Sequence, residues 1–134
     1  MSIHQRTRNI VLCLCDLTGT FAAPWIEAGY RAVLIDPQHP AGVTVDGPIT
    51  RIGHILDHSS TWAFLRLVTG RVAFTAAFPP CTDLAVSGAR WFAAKAKADP
   101  AFQHRAMAVV HQCHAIAQMM GAPWFIENPV SQIS

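Results

Sequence analysis

In the stretch FTAAFPPCTDLAVSGARWF, an apolar run ends in Pro79 and Pro80, and Cys81 follows directly. A side chain held behind a rigid Pro-Pro at the end of a strand faces a cleft rather than a packed core, which suits a nucleophile. A thiol of ordinary pKa, about 8.5, is only slightly ionised at neutral pH, so such a role also requires local activation. Glu127 is one of only two glutamates and stands between WFI and NP, at the end of another apolar run. An unpaired carboxylate is costly to bury, so its pKa is expected to be raised, which fits it to share or donate a proton. The competing reading is a carboxylate that caps a nearby backbone turn.

Two aspartates complete the set. Asp16 opens DLTGTF, and Asp36 closes RAVLID 20 positions later. A Gly-containing turn after a first strand lets backbone N–H groups approach a ligand, and an acid ending the second strand can accept both hydroxyls of a ribose. Together they suggest a nucleoside-containing cofactor. DLTGTF holds a single glycine, so neither GxGxxG nor a phosphate loop is present, and a plain tight turn competes with the ligand reading.

These residues need elements to position them. NIVLCLC, Asn9 to Cys15, predicts a strand buried on both faces, and RAVLID, Arg31 to Asp36, a second one closed by Pro37. Between them Pro24 to Ala28 reads as a short helix stopped by Gly29. Pro40 to Pro48 reads as a Gly- and Pro-rich loop, and Ile49 to Ile55 as a third strand. Ser59 to Gly70 has serine caps and helical spacing, and RVAFTAAF is the strand that leads to Cys81. Asp99 and Pro100 open a long helix ended by Gly121, with Phe102, Ala106, Val109, Val110, Cys113, Ile116, Ala117 and Met120 on its core face. His104, His111 and Gln118 fall on the opposite face. PWFIENP, Pro123 to Pro129, is the last strand.

Strands alternating with helices predict an α/β fold with a doubly wound, mostly parallel sheet. Ligands in such sheets bind beyond the carboxyl ends of the strands, where Asp16, Asp36, Cys81 and Glu127 all fall. Cys13, Cys15 and Cys113 read as small core residues inside strands or on a helix core face. The pair His111 and His114 around Cys113 reads as helix surface rather than a metal site, so no metal is expected.

The 134 residues form one domain with 51% hydrophobic and 13% charged residues, which excludes a disordered chain. No apolar run is long enough for a membrane span, and Met1 to Asn9 lacks a secretory core. A cytoplasmic location is the expectation, with free thiols. Net charge is +2 and eight of ten cations are arginines, a balance that permits a nucleic-acid partner without demanding one.

FPPCTDLAVSG resembles the catalytic Pro-Cys motif of the cytosine-5 DNA methyltransferases, and IENP resembles their Glu-Asn-Val motif. DLTGTFAAPWIEAGY is similar to their first motif with its following helix, and VLIDPQHP to the acidic segment after it. The resemblance spans about residues 10 to 129 and is greatest to phage-type and prophage-type members. Thr82 stands where the family has Gln, Pro129 where it has Val, and Thr20 and Phe21 where its first motif has glycine.

The resemblance implies a Rossmann-like S-adenosylmethionine-dependent methyltransferase fold. It further implies that Cys81 adds to carbon 6 of a cytosine flipped out of DNA while Glu127 hydrogen-bonds the ring edge, so that carbon 5 accepts the methyl group. Asp16, Leu17, Thr18, Gly19, Thr20, Phe21, Asp36, Pro37 and Pro79 would hold the cofactor. Pro80, Ser87, Arg90, Trp91 and Asn128 would face DNA, with Arg90 on phosphates and Trp91 available for stacking. Trp91 packed back on a solvated helix start is the bland alternative for that loop.

The family's later motifs and target-recognition domain have no counterpart before Ser134, so the chain reads as an amino-terminal catalytic part. Trp124 to Ile126 are then expected on an unprotected apolar edge, with self-association, or complementation by a carboxyl-terminal segment, as the consequence. A non-catalytic cofactor- or DNA-binding remnant is the alternative from another class. Methylation of an exocyclic amine is disfavoured, because it uses an Asn/Asp-Pro-Pro-aromatic motif and needs no thiol.

Overall fold

The computed structural model describes residues 7–80 and 102–127, the side chains of 102–105 excepted. Its centre is β1 (Ile10–Leu14), five apolar residues buried along their whole length. β2 (Arg31–Ile35) and β5 (Val72–Ala77) flank it, both parallel to it. A strand with a neighbour on each edge and helices over each face has no polar side, and so reads as a continuous hydrophobic run rather than an alternating one.

The full sheet has six strands in the order β3-β4-β2-β1-β5-β6, where β3 is Gly42–Asp46, β4 Ile49–Gly53 and β6 Trp124–Ile126. β4 runs parallel to β2 and β6 parallel to β5, and only the β3–β4 pairing is antiparallel. The chain therefore builds outward from β1 to β2 and β4, then starts again on the other side of β1 with β5 and β6. Helix α1 (Ala23–Glu27) and the neighbouring Phe21, with Trp25 and Ile26, pack on Val11, Cys13, Ala32 and Leu34. Helices α2 (Ser59–Val68) and α3 (Phe102–Met120) pack on the opposite face, with Leu65, Val68, Cys113, Ile116 and Met120 against Leu12, Leu14, Val33 and Ile35. The result is an α/β architecture around a single mostly parallel mixed sheet.

Several local expectations need correction. The segment from Pro40 to Pro48, expected as a loop, contains β3, hydrogen-bonded to β4 through a tight turn at Gly47 and Pro48. Alternating GVTVD followed by an Asp-Gly pair is a hairpin signal that outweighs the local glycine and proline content. Helix α2 is capped not by a serine but by His58, whose Nδ1 accepts the Ser60 N–H at 3.0 Å. On α3, Cys113, Ile116, Ala117 and Met120 are buried as the spacing predicts, and His111 and Gln118 are exposed. The expected cap at Asp99 and Pro100 lies outside the described residues. Among the described residues Trp124 to Ile126 form the last strand of the sheet, with Trp124 exposed.

Gly53 ends β4 where the Pro40 backbone crosses it, and a Cβ there would fall on the Pro40 carbonyl oxygen. Two backbones cannot part by changing a rotamer. Gly53→Ala is therefore expected to cost about 3 kcal/mol or more, at the upper end of overpacking effects, read as a shift in the urea unfolding midpoint.

Candidate functional site

The carboxyl ends of the parallel strands lie at one rim of the sheet, and the chain turns there differently at each. After Leu14, Cys15 adopts a left-handed conformation with φ of 56°, the only non-glycine residue to do so among the described residues. This turn lets the Asp16 N–H reach the Ile35 carbonyl at 3.2 Å and folds the Asp16 side chain back over the following turn. Asp16 Oδ1 accepts the Gly19 N–H at 2.9 Å, and Thr18 Oγ1 accepts the Thr20 N–H at 3.3 Å. Those two donors are engaged within the turn rather than free for a ligand. Gly19 has φ of 74°, so this position favours glycine, and a Cβ would also sit tight against Leu34 Cδ1.

Asp16 is 6% exposed, and its second oxygen, Oδ2, accepts no close hydrogen bond from the described residues. An acceptor withdrawn from water without a donor is costly, and a ligand donor is one way to satisfy it. Asp16, Leu17, Thr18, Thr20 and Phe21, with Cys15 and Phe78, line a cavity of about 440 Å³. Phe21 both lines it and packs on Phe78 and Phe125, at ring-centroid separations of 5.9 and 5.4 Å. Two aromatic rings, Phe21 and Phe78, therefore line this cavity in mutual contact.

A second cavity, of about 350 Å³, opens on the other side of Cys15. Asp36 and Pro37 line it from the end of β2, Asp57 from the loop before α2, Gln112 from α3, and Pro80 from the segment after β5. Asp36 is half-buried, and its Oδ1 accepts the Gln38 N–H at 2.8 Å. The loop carrying Asp57 is anchored by the buried Thr61, whose hydroxyl donates to the Ile55 carbonyl at 2.8 Å. The walls are largely apolar with a few polar groups, the usual make-up of a small-molecule site.

No protein-family model, curated protein or solved structure matches this chain.

Asp16, Leu17, Thr18, Thr20, Phe21, Asp36 and Pro37 all face the paired cavities, Gly19 shapes the turn between them, and Pro79 is buried behind Pro80. Cys81, Ser87, Arg90, Trp91 and Asn128 lie outside the described residues. Glu127 is exposed rather than buried, which corrects the expectation built on its burial. It sits one residue beyond a three-residue edge strand, where β5 is its only strand neighbour among the described residues. Its N–H still bonds the Ala77 carbonyl at 2.9 Å, so its backbone is held at the end of β5.

Cys15 is the second correction. It does not lie inside the strand but lines both cavities, with its Sγ 4.0 Å from Cys113 Sγ on α3. Its thiol is pushed well above the ordinary range, first by the hydrogen bond with Cys113 and then by burial. Burial, reinforced by the neighbouring Asp16 carboxylate, pushes the Cys13 thiol up to about 12. Neither is a nucleophile at neutral pH. Asp57 and Gln112 escaped the sequence reading because neither ends a strand. Asp57 follows β4 only after a loop, and Gln112 is one polar residue on an otherwise apolar helix.

The left-handed backbone at Cys15 has a measurable consequence. A β-branched side chain is strained there and glycine is not, so Cys15→Val is expected to be less stable than Cys15→Gly by about 1–3 kcal/mol, the reverse of strand preference. Urea denaturation of the two variants checks the order.

Among the described residues no helix is long and apolar enough to cross a membrane. Nor do three His, Cys, Asp or Glu side chains gather there as metal ligands would.

Proposed function

We propose that this chain is an S-adenosylmethionine-binding methyltransferase domain of the cytosine-5 DNA group, with a doubly wound Rossmann-like sheet. The observation that carries the reading is the pair of carboxylates at the ends of adjacent parallel strands, Asp16 and Asp36, each opening on its own cavity with Cys15 between. Asp16 follows β1, which borders the point where the strand order reverses between β1 and β5, and Asp36 follows the neighbouring β2; ligands of open α/β sheets bind beyond such strand ends.

The residues present fit the cofactor. Asp36 would accept the ribose hydroxyls, the apolar walls around Ile35, Ile55, Leu56 and Val109 would take the base, and the buried Asp16 Oδ2 would receive the ammonium of the methionine part. S-adenosylmethionine, when bound, supplies an electrophilic methyl group. Val72–Ala77 leads through the buried Pro79 to Pro80 at the cavity wall, and Cys81 follows as the thiol that attacks carbon 6 of cytosine. Glu127, one residue beyond the strand paired with β5, holds the ring nitrogen and amino edge, which makes that attack easier. The DNA partner meets the chain through Pro80, Ser87, Arg90, Trp91 and Asn128.

The exposure of Glu127 favours a second reading, a cofactor-binding module that does not turn over. Incubation with a donor labelled in its methyl group and cytosine-containing duplex DNA separates them. Label on carbon 5 supports the enzyme, bound donor without transfer supports the module, and no binding at all removes both.

A further inference from the structure

His39 is 6% exposed in a loop that is otherwise largely open to solvent. Its Nε2 lies 2.8 Å from the Asp16 carbonyl oxygen, across 23 residues of chain. A carbonyl has no hydrogen to give, so Nε2 is the donor and must carry the proton. His39 also closes its own loop, because its N–H donates to the Asp36 carbonyl at 3.1 Å. One residue thus joins the turn that displays Asp36 to the turn that displays Asp16. The backbone around it is confined from the other side as well, since Pro40 crosses Gly53 too closely to admit a Cβ.

We infer that His39 is a positioning residue that locks the Asp16 and Asp36 turns into one ligand-binding unit. Its importance for S-adenosylmethionine rests on the function proposed above, whereas the lock itself rests on the geometry alone. Two carboxylates on separate turns serve one ligand only if their spacing is held before binding, because otherwise each binding event must order both turns. A buried donor does this at low cost: breaking the bond would strand the Asp16 carbonyl away from water.

Three measurements on the full chain test this. Long-range nitrogen–proton spectra of the wild-type imidazole are expected to show the proton on Nε2, and a proton confined to Nδ1 overturns the assignment. His39→Leu fills the space without a donor, and His39→Gln restores one at the corresponding reach. In the leucine variant, amide exchange at Gly19 and at position 39 is expected to accelerate about tenfold or more, while β1 and β2 amides hold and the glutamine variant returns toward wild type. Unchanged exchange at Gly19, or acceleration spread evenly over the sheet, overturns the lock. Should the leucine variant not fold, His39→Ala carries the same comparison. Calorimetry with S-adenosylhomocysteine is expected to show affinity falling about tenfold in the leucine variant and recovering in the glutamine variant. Absence of binding by the wild type removes the cofactor reading while the spectra and exchange still decide the lock.

Discussion

Replacing Cys81 by serine is expected to lower methyl transfer to cytosine by about 10³-fold or more, the scale on which loss of a covalent nucleophile falls. The reason lies in the other cysteines as much as in Cys81. Cys13 is fully buried in β1, with its thiol pushed up to about 12 by burial and then by Asp16. Cys15 is held protonated by its hydrogen bond with Cys113, and Cys113 is itself fully buried. None of these three can stand in for the Cys81 thiolate. DNA carrying 5-fluorocytosine gives the sharper readout, because fluorine takes the place of the carbon 5 proton whose loss would let the thiol leave. A stable adduct is expected with the wild type only when the methyl donor is present, and none with Cys81→Ser. An adduct that persists in the serine variant would assign the attack elsewhere and defeat the proposal.

How far the molecule could be read from its sequence depended on whether a signal was local. β1, β2 and β5 were legible because strands covered on both faces leave uninterrupted apolar runs, and Gly29 and Gly121 marked helix ends through their positive φ. The hairpin of β3 and β4 is only half legible, because the glycine and proline of Pro40–Pro48 have loop composition while the Val and Thr alternation between them belongs to a strand. Asp16 and Asp36 were legible from their place at strand ends. Cys15 was not, because a positive φ depends on where the next residue must go, in this case Asp16 toward the Ile35 carbonyl. His39 was invisible for the same reason, since its partner is a backbone atom of another turn. Glu127 shows the opposite error: its apolar neighbours implied burial, but a short edge strand exposes the residue that follows it.

Asp36→Ala is expected to weaken S-adenosylhomocysteine binding about 100-fold, and Asp36→Asn about tenfold. A carboxylate that accepts two ribose hydroxyls makes two charge-assisted hydrogen bonds, each worth about 1.5–3 kcal/mol when the partner is left without a substitute. The asparagine side chain keeps one oxygen acceptor and loses the charge, which places it between alanine and wild type. Folding is affected far less, because the hydrogen bond this side chain accepts from the Gln38 N–H at 2.8 Å is exposed and closes a local turn. The stability loss is expected to stay below about 1 kcal/mol, the net worth of such a bond. Calorimetry and thermal melting on the same samples separate the two effects. A large loss of affinity with little change in melting assigns Asp36 to the ligand, whereas equal affinity in the alanine variant would leave the cavity at the end of β2 without its ribose acceptor and remove the nucleoside from the site.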